Sequence, residues 1–157
     1  MFQIAVCDDD AAEYRRLSGY VADFFSLRNM PTEIDTFQSG MQFLAAKKCY
    51  DLYFFDVMMP QMSGLETARA LQKREDDPVI IFVTSSLESA VEGYSVRAAG
   101  FVLKPIQLPA FEETMNRVLK SALSAARLPF RSSAIAFRWN CGWRRWLTLK
   151  AACIRFM

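Results

Sequence analysis

The sequence has no histidine. A zinc site would therefore need cysteines and carboxylates alone, and Cys7, Cys49, Cys141 and Cys153 show neither CxxC spacing nor a disulfide framework. Reduced thiols are the expectation, with Cys7 packed as a small hydrophobe. No run approaches the roughly 18 apolar residues of a membrane-spanning helix, so no membrane partner is expected. No basic segment or long apolar stretch precedes Asp8-Asp9-Asp10, so no secretory leader is expected and the chain is assigned to the cytoplasm. Two further absences are regional. No acidic residue follows Glu113, and no tryptophan precedes Trp139.

Those regional absences divide the chain. The net charge of +2 is the sum of unlike parts. Residues 1–123 hold all 17 acids against 12 Lys and Arg, whereas residues 124–157 hold seven Lys and Arg with no acid. The chain has 157 residues, 52% of them hydrophobic and 23% charged. That is enough apolar material for a core and excludes wholesale disorder. The expected organisation is a domain over 1–123 and a basic, Trp-rich tail over 124–157.

Within 1–123, short apolar runs alternate with helical patterns. Phe2–Cys7, Thr32–Phe37, Asp51–Phe55, Val79–Thr84 and Gly100–Leu103 read as strands. Helical spacing marks Ala11–Leu27, Ser39–Lys47, Leu65–Lys73, Leu87–Ala98 and Leu108–Ser124. Strands each followed by a helix predict an α/β fold whose parallel sheet is covered on both faces, and the near-continuous apolar strands agree. Right-handed crossovers favour a doubly wound order. In such sheets the site lies beyond the carboxyl ends of the strands.

That rule selects a small set of polar residues. Asp8 and Asp9 follow the first strand, Asp56 ends the third, Thr84 and Ser85 end the fourth, and Lys104 follows the fifth. Asp10 is read as the cap of the first helix, because an acid there accepts from free backbone N–H groups. Three carboxylates on one rim repel unless compensated. A hard divalent cation relieves that repulsion, and oxygen ligands suit Mg²⁺. A carboxylate beside such a cation can act as a nucleophile and form an aspartyl-phosphate, with the lysine and the hydroxyl positioning and neutralising the transferred group.

Asp8-Asp9, Asp56 with Pro60 four and Gly64 eight residues later, Thr84, and Lys104-Pro105 resemble the receiver domain of two-component response regulators. The resemblance covers about residues 1–123. It implies a flavodoxin-like five-stranded parallel sheet in the order 2-1-3-4-5. It implies Asp56 as acceptor of a phosphoryl group from a sensor histidine kinase, and Asp8, Asp9, Asp56 and the carbonyl of Met58 as Mg²⁺ ligands. Thr84 matches the hydroxyl that hydrogen-bonds the phosphoryl oxygens and Lys104 the amine that pairs with them. Phe101 matches the aromatic switch position, where the lack of a hydroxyl would make any switching steric. The Lys104–Pro105 bond is expected to be cis. Val6-Cys7-Asp8-Asp9-Asp10 and the run from Ala90-Val91-Glu92-Gly93-Tyr94 to Leu103-Lys104-Pro105 are similar to the LytTR-type branch, in which the receiver precedes a β-rich DNA-binding domain. Such a module would be a catalyst only of its own phosphorylation and dephosphorylation. A homodimer on phosphorylation, through the face from Leu87 to Phe101, is a further expectation.

The alternative function is a stand-alone receiver acting by protein contact or phosphorelay. A phosphatase acting on external substrates is disfavoured, because Met58 stands where such enzymes carry a second acid. Pro129 blocks continuation of the last helix, and the stretch of the 124–157 segment beyond it is too short for an independent core. The segment is read as the remnant of an output domain, truncated or out of frame, ahead of a nucleic-acid-binding arm or an amphipathic segment. DNA is a partner only if an intact output domain exists.

Overall fold

The structure, a computed structural model, describes residues 1–75, 77–85 and 96–125, without the side chains of 122–125. Its elements are β1 (Phe2–Cys7), α1 (Ala11–Ser26), β2 (Thr32–Phe37), α2 (Gly40–Ala46), β3 (Leu52–Asp56), α3 (Gly64–Gln72), β4 (Ile80–Thr84), β5 (Gly100–Leu103) and α4 (Leu108–Ala125). Most of the helix expected over 87–98, most of the proposed dimer face and the segment 126–157 lie outside the described residues; the described end of that expected helix, residues 96–98, is not α-helical, and Arg97 there takes a positive φ of 48°.

All neighbouring strands pair in parallel, in the order β2-β1-β3-β4-β5. This is the flavodoxin-like arrangement expected from the sequence. Strand alternation sends successive side chains to opposite faces. On one face Phe2, Ile4, Val6, Phe54, Ile81 and Val83 pack against Leu17, Val21, Phe24 and Phe25 of α1 and Phe111, Met115 and Val118 of α4. On the other, Ala5, Cys7, Tyr53, Phe55, Ile80 and Phe82 pack against Phe43 of α2 and Leu65, Ala68 and Leu71 of α3. Each fully buried phenylalanine or leucine contributes on the order of 2 kcal/mol, so the two layers supply most of the driving force.

The edge strand β2 is the exception to continuous apolarity. Glu33 and Asp35 point charge along it, and Lys48 pairs with Asp35 at 2.6 Å and with Glu33 at 3.6 Å. Charge of this kind protects an open sheet edge from pairing with another chain.

Helix starts follow the local chemistry. The Asp10 side chain accepts from Ala12 N at 2.8 Å, as expected of a cap. Ser63 and Glu66 form a reciprocal capping box that fixes the first turn of α3. Cys7 is free and buried, but Cys49 is disulfide-bonded, so the expectation of reduced thiols holds for the first and not the second. Among the described residues no helix is long and apolar enough to cross a membrane.

Candidate functional site

β1 and β3 are adjacent and run the same way, so their carboxyl ends meet at one rim. Val6 pairs with Phe54 and Cys7 with Phe55. Asp8 follows Cys7 and Asp56 follows Phe55, which sets the two acids side by side. Ligand oxygens of Asp8, Asp9 and Asp56 all lie within 4.8 Å of one another. Asp8 and Asp56 are buried, with exposures of 1% and 6%, while Asp9 is open to solvent.

Lys104 reaches this cluster from the end of β5. Its Nζ donates to Asp8 Oδ2 at 2.7 Å and to Asp56 Oδ2 at 2.9 Å. The Lys104 backbone N–H donates to the Thr84 carbonyl at 2.8 Å, which seats the lysine beside the end of β4. The Lys104–Pro105 peptide is cis, as expected. Burial works against the Lys104 charge, but the hydrogen bonds and charges of the two aspartates outweigh it and raise its pKa. The amine is therefore cationic at neutral pH. Burial raises the pKa of Asp8 against the opposing pull of Lys104 and of the Asp10 N–H, which donates to Asp8 Oδ1 at 2.9 Å.

The other expected residues fall around this centre. Met58 N donates to Asp56 Oδ1 at 3.2 Å, while the Met58 side chain is 63% exposed. Thr84 is fully buried at the end of β4, whose preceding residue Val83 pairs with Asp56. Phe101 stacks on Phe82, with ring centroids 5.8 Å apart. Asp8, Asp9, Asp56 and Lys104 are thus brought into one cluster. Thr84, Met58 and Pro105 adjoin it through their places in the chain, whereas Phe101 pairs with Phe82 deeper in the sheet.

The donor set can be tested against a hard divalent cation. Every ligand group is an oxygen. Three carboxylates stand against one ammonium, an acidic excess that a divalent cation offsets. The nearest sulfur does not compete as a thiolate: burial, and then the charges of Asp8, Asp56 and Asp9, push the Cys7 thiol up to about 12. An all-oxygen cluster with an excess of carboxylates fits Mg²⁺ and not a soft metal.

The strand-end rule brings Lys104 to one rim with the acids, as expected, but the atoms it pairs with appear only in the structure. The contact of Cys7 Sγ with Met59 Sδ, at 3.6 Å, escaped sequence reasoning, because no motif joins those two residues.

Comparisons with known proteins agree with this geometry. Two curated relatives are regulatory proteins. The chain is 28% identical over 127 residues to the positive alginate biosynthesis regulatory protein of Pseudomonas aeruginosa, covering 77% of this chain and 51% of that protein. It is 29% identical over 110 residues to the sensory transduction protein LytR of Staphylococcus haemolyticus, covering 70% and 43%. The chain therefore spans about half or less of the length of these relatives, which are of the LytTR-type branch. Among solved structures, the chemotaxis protein CheY4 of Vibrio cholerae superposes with a TM-score of 0.63 at 28% identity, covering 75% of this chain and 98% of that one. Residues 4–116 match the model of the response regulator receiver domain, so the chain, with its acids and lysine gathered at the carboxyl ends of a 2-1-3-4-5 sheet, belongs to that family.

Proposed function

We propose that this chain accepts a phosphoryl group on Asp56 from a sensor histidine kinase, in a Mg²⁺-dependent reaction, and that the modification switches a downstream output, natively transcription. The observation that carries this reading is the cluster of Asp8, Asp9 and Asp56 within 4.8 Å, bridged by a cationic Lys104.

Asp8, Asp9, Asp56 and the Met58 carbonyl would hold the cation, which when bound offsets charge on the phosphoryl oxygens. An Asp56 carboxylate oxygen bonds to phosphorus, and the bond from phosphorus to the donor's leaving atom breaks, with the electron pair departing on the donor. Lys104 then exchanges one carboxylate partner for a phosphoryl oxygen, and the Thr84 hydroxyl donates to another. Such a group adds charge and strong acceptors at the rim. Inward movement of Thr84 would open space beside Phe82 and Phe101, and an aromatic ring without a hydroxyl can respond only by filling it. Phe101 belongs to the face from Leu87 to Phe101, where a second copy would dock. A transcriptional output is supported by the regulatory relatives, and its DNA contact requires the output domain of an intact regulator.

The test is incubation with acetyl phosphate and Mg²⁺, followed by intact mass measurement. The wild-type chain should gain one phosphoryl group and lose that gain when Mg²⁺ is chelated, and Asp56→Asn should gain none. Equal labelling of wild type and Asp56→Asn would overturn the assignment.

A further inference from the structure

The acidic cluster is assembled from two separate pieces of chain. Asp8 and Asp9 sit at the end of β1, whereas Asp56 and Met58 belong to β3 and the loop that leads into α3. The loop's ends are pinned by backbone hydrogen bonds: Val57 N donates to Val83 O at 3.3 Å, and Gly64 N donates to Val57 O at 3.2 Å. Between them, Gln61 takes a positive φ of 66° and Met62 N donates to Pro60 O at 2.7 Å, closing a tight turn.

Two consecutive methionines in this loop behave in opposite ways. Met58 is 63% exposed and Met59 only 8%. Met59 packs in the core on the α2/α3 face of the sheet, together with Phe55, Val57, Leu65 and Cys7. Cys7 is the last residue of β1 and is fully buried, and its thiol donates to the Met59 thioether at 3.6 Å. Cys7 directly precedes Asp8, and Met59 directly follows Met58. The sulfur pair therefore joins the strand that carries one half of the oxygen cluster to the loop that carries the other. A thioether is well suited to such a seat, because it is polarizable and fills irregular space.

We propose that Met59, seated against Cys7, is a positioning residue for the cation cradle, fixing the Met58 carbonyl in register with Asp8 and Asp9. This rests on the Mg²⁺ site described above. Neither sulfur touches the cation. Their effect passes through the backbone on which the ligands stand, as the supporting contacts of metal sites commonly act.

Calorimetric titration of the full chain with MgCl₂ tests this without any phosphoryl transfer. Met59→Ala should weaken Mg²⁺ binding about tenfold, the lower range for lost support of a ligand. Met59→Leu, which refills the seat, should bind nearly as the wild type does. Leu71→Ala removes a fully buried side chain from the same core at the far end of α3, and should leave the affinity unchanged despite its loss of stability. Equal affinities for wild type and Met59→Ala, or equal losses in Met59→Ala and Leu71→Ala, would overturn the inference. If Met59→Ala does not fold, Cys7→Ala takes its place: weakened binding supports the positioning role and unchanged binding overturns it. A wild-type chain that binds no Mg²⁺, or an Asp9→Asn variant that binds it equally well, would instead overturn the metal site itself.

Discussion

Lys104→Met should destabilise the protein by about 3 kcal/mol at neutral pH, the range for removing one partner of a buried ion pair. The Lys104 side chain is 15% exposed and those of its partners Asp8 and Asp56 are 1% and 7%. Methionine keeps much of the stem's volume but leaves both carboxylates without their cation. The effect has a sign in pH. Burial already holds the pKa of Asp8 above its ordinary value, and removing the nearest ammonium raises it further. A carboxyl whose folded pKa exceeds its unfolded value binds more protons in the folded state, so folding weakens as pH rises through that window. The deficit of Lys104→Met should therefore be full at about pH 7 and shrink toward about pH 4, where the unfolded carboxyl also protonates. Mg²⁺ should recover part of the loss at neutral pH, because a cation held by the folded cluster adds its binding free energy to folding. Urea unfolding at both pH values, with and without Mg²⁺, checks all three expectations. A deficit independent of both would mean that the amine does not compensate the carboxylates.

Gly64→Ala should have the second large effect, on both stability and labelling. A Cβ on Gly64 would stand 2.1 Å from the Asp56 carbonyl oxygen and 2.9 Å from its carbonyl carbon. Those are backbone atoms of the acceptor residue, and no rotamer change relieves the overlap. Either α3 backs away from β3 or the Asp56 backbone shifts. The expected cost is about 3 kcal/mol, at the upper end for overpacking. The labelling rate from acetyl phosphate should fall about a hundredfold, as for an angstrom-scale misplacement of a reacting group. Gly19→Ala is the matched control. Gly19 lies on the exposed side of α1, and nothing stands within 4 Å of its Cβ position. It should gain about 0.8 kcal/mol from the better helix propensity of alanine and label normally. Thermal melts and labelling time courses separate the two. A Gly64→Ala protein as stable and as reactive as the wild type would show that α3 does not press on Asp56.

The fold was legible because its strands are parallel and buried on both faces. Phe2–Cys7 and Gly100–Leu103 stand where their apolar runs placed them. The third strand is shifted by one residue, to Leu52–Asp56, because apolarity ends at Phe55 while backbone pairing continues from Asp56 to Val83. Asp51 falls below the strand, where its carboxylate accepts from Gln3 N at 2.8 Å. The acids and the lysine were legible for a topological reason: residues just past the carboxyl ends of parallel strands must share a rim. Contacts set by three-dimensional register were not. The bridge from Lys104 to Asp8 spans 96 positions and the seat of Met59 on Cys7 spans 52. The steric role of Gly64 also appears only once α3 is laid against Asp56.

The most direct measurement is the location of the acyl phosphate. Borohydride reduces an aspartyl-phosphate to homoserine, so reduction after labelling with acetyl phosphate and Mg²⁺, followed by peptide mass spectrometry, marks the acceptor in the wild-type chain. The expected result is homoserine at position 56, with Asp8 and Asp9 recovered unchanged. Homoserine at position 8 or 9, or a labelled chain with none at position 56, would contradict the account.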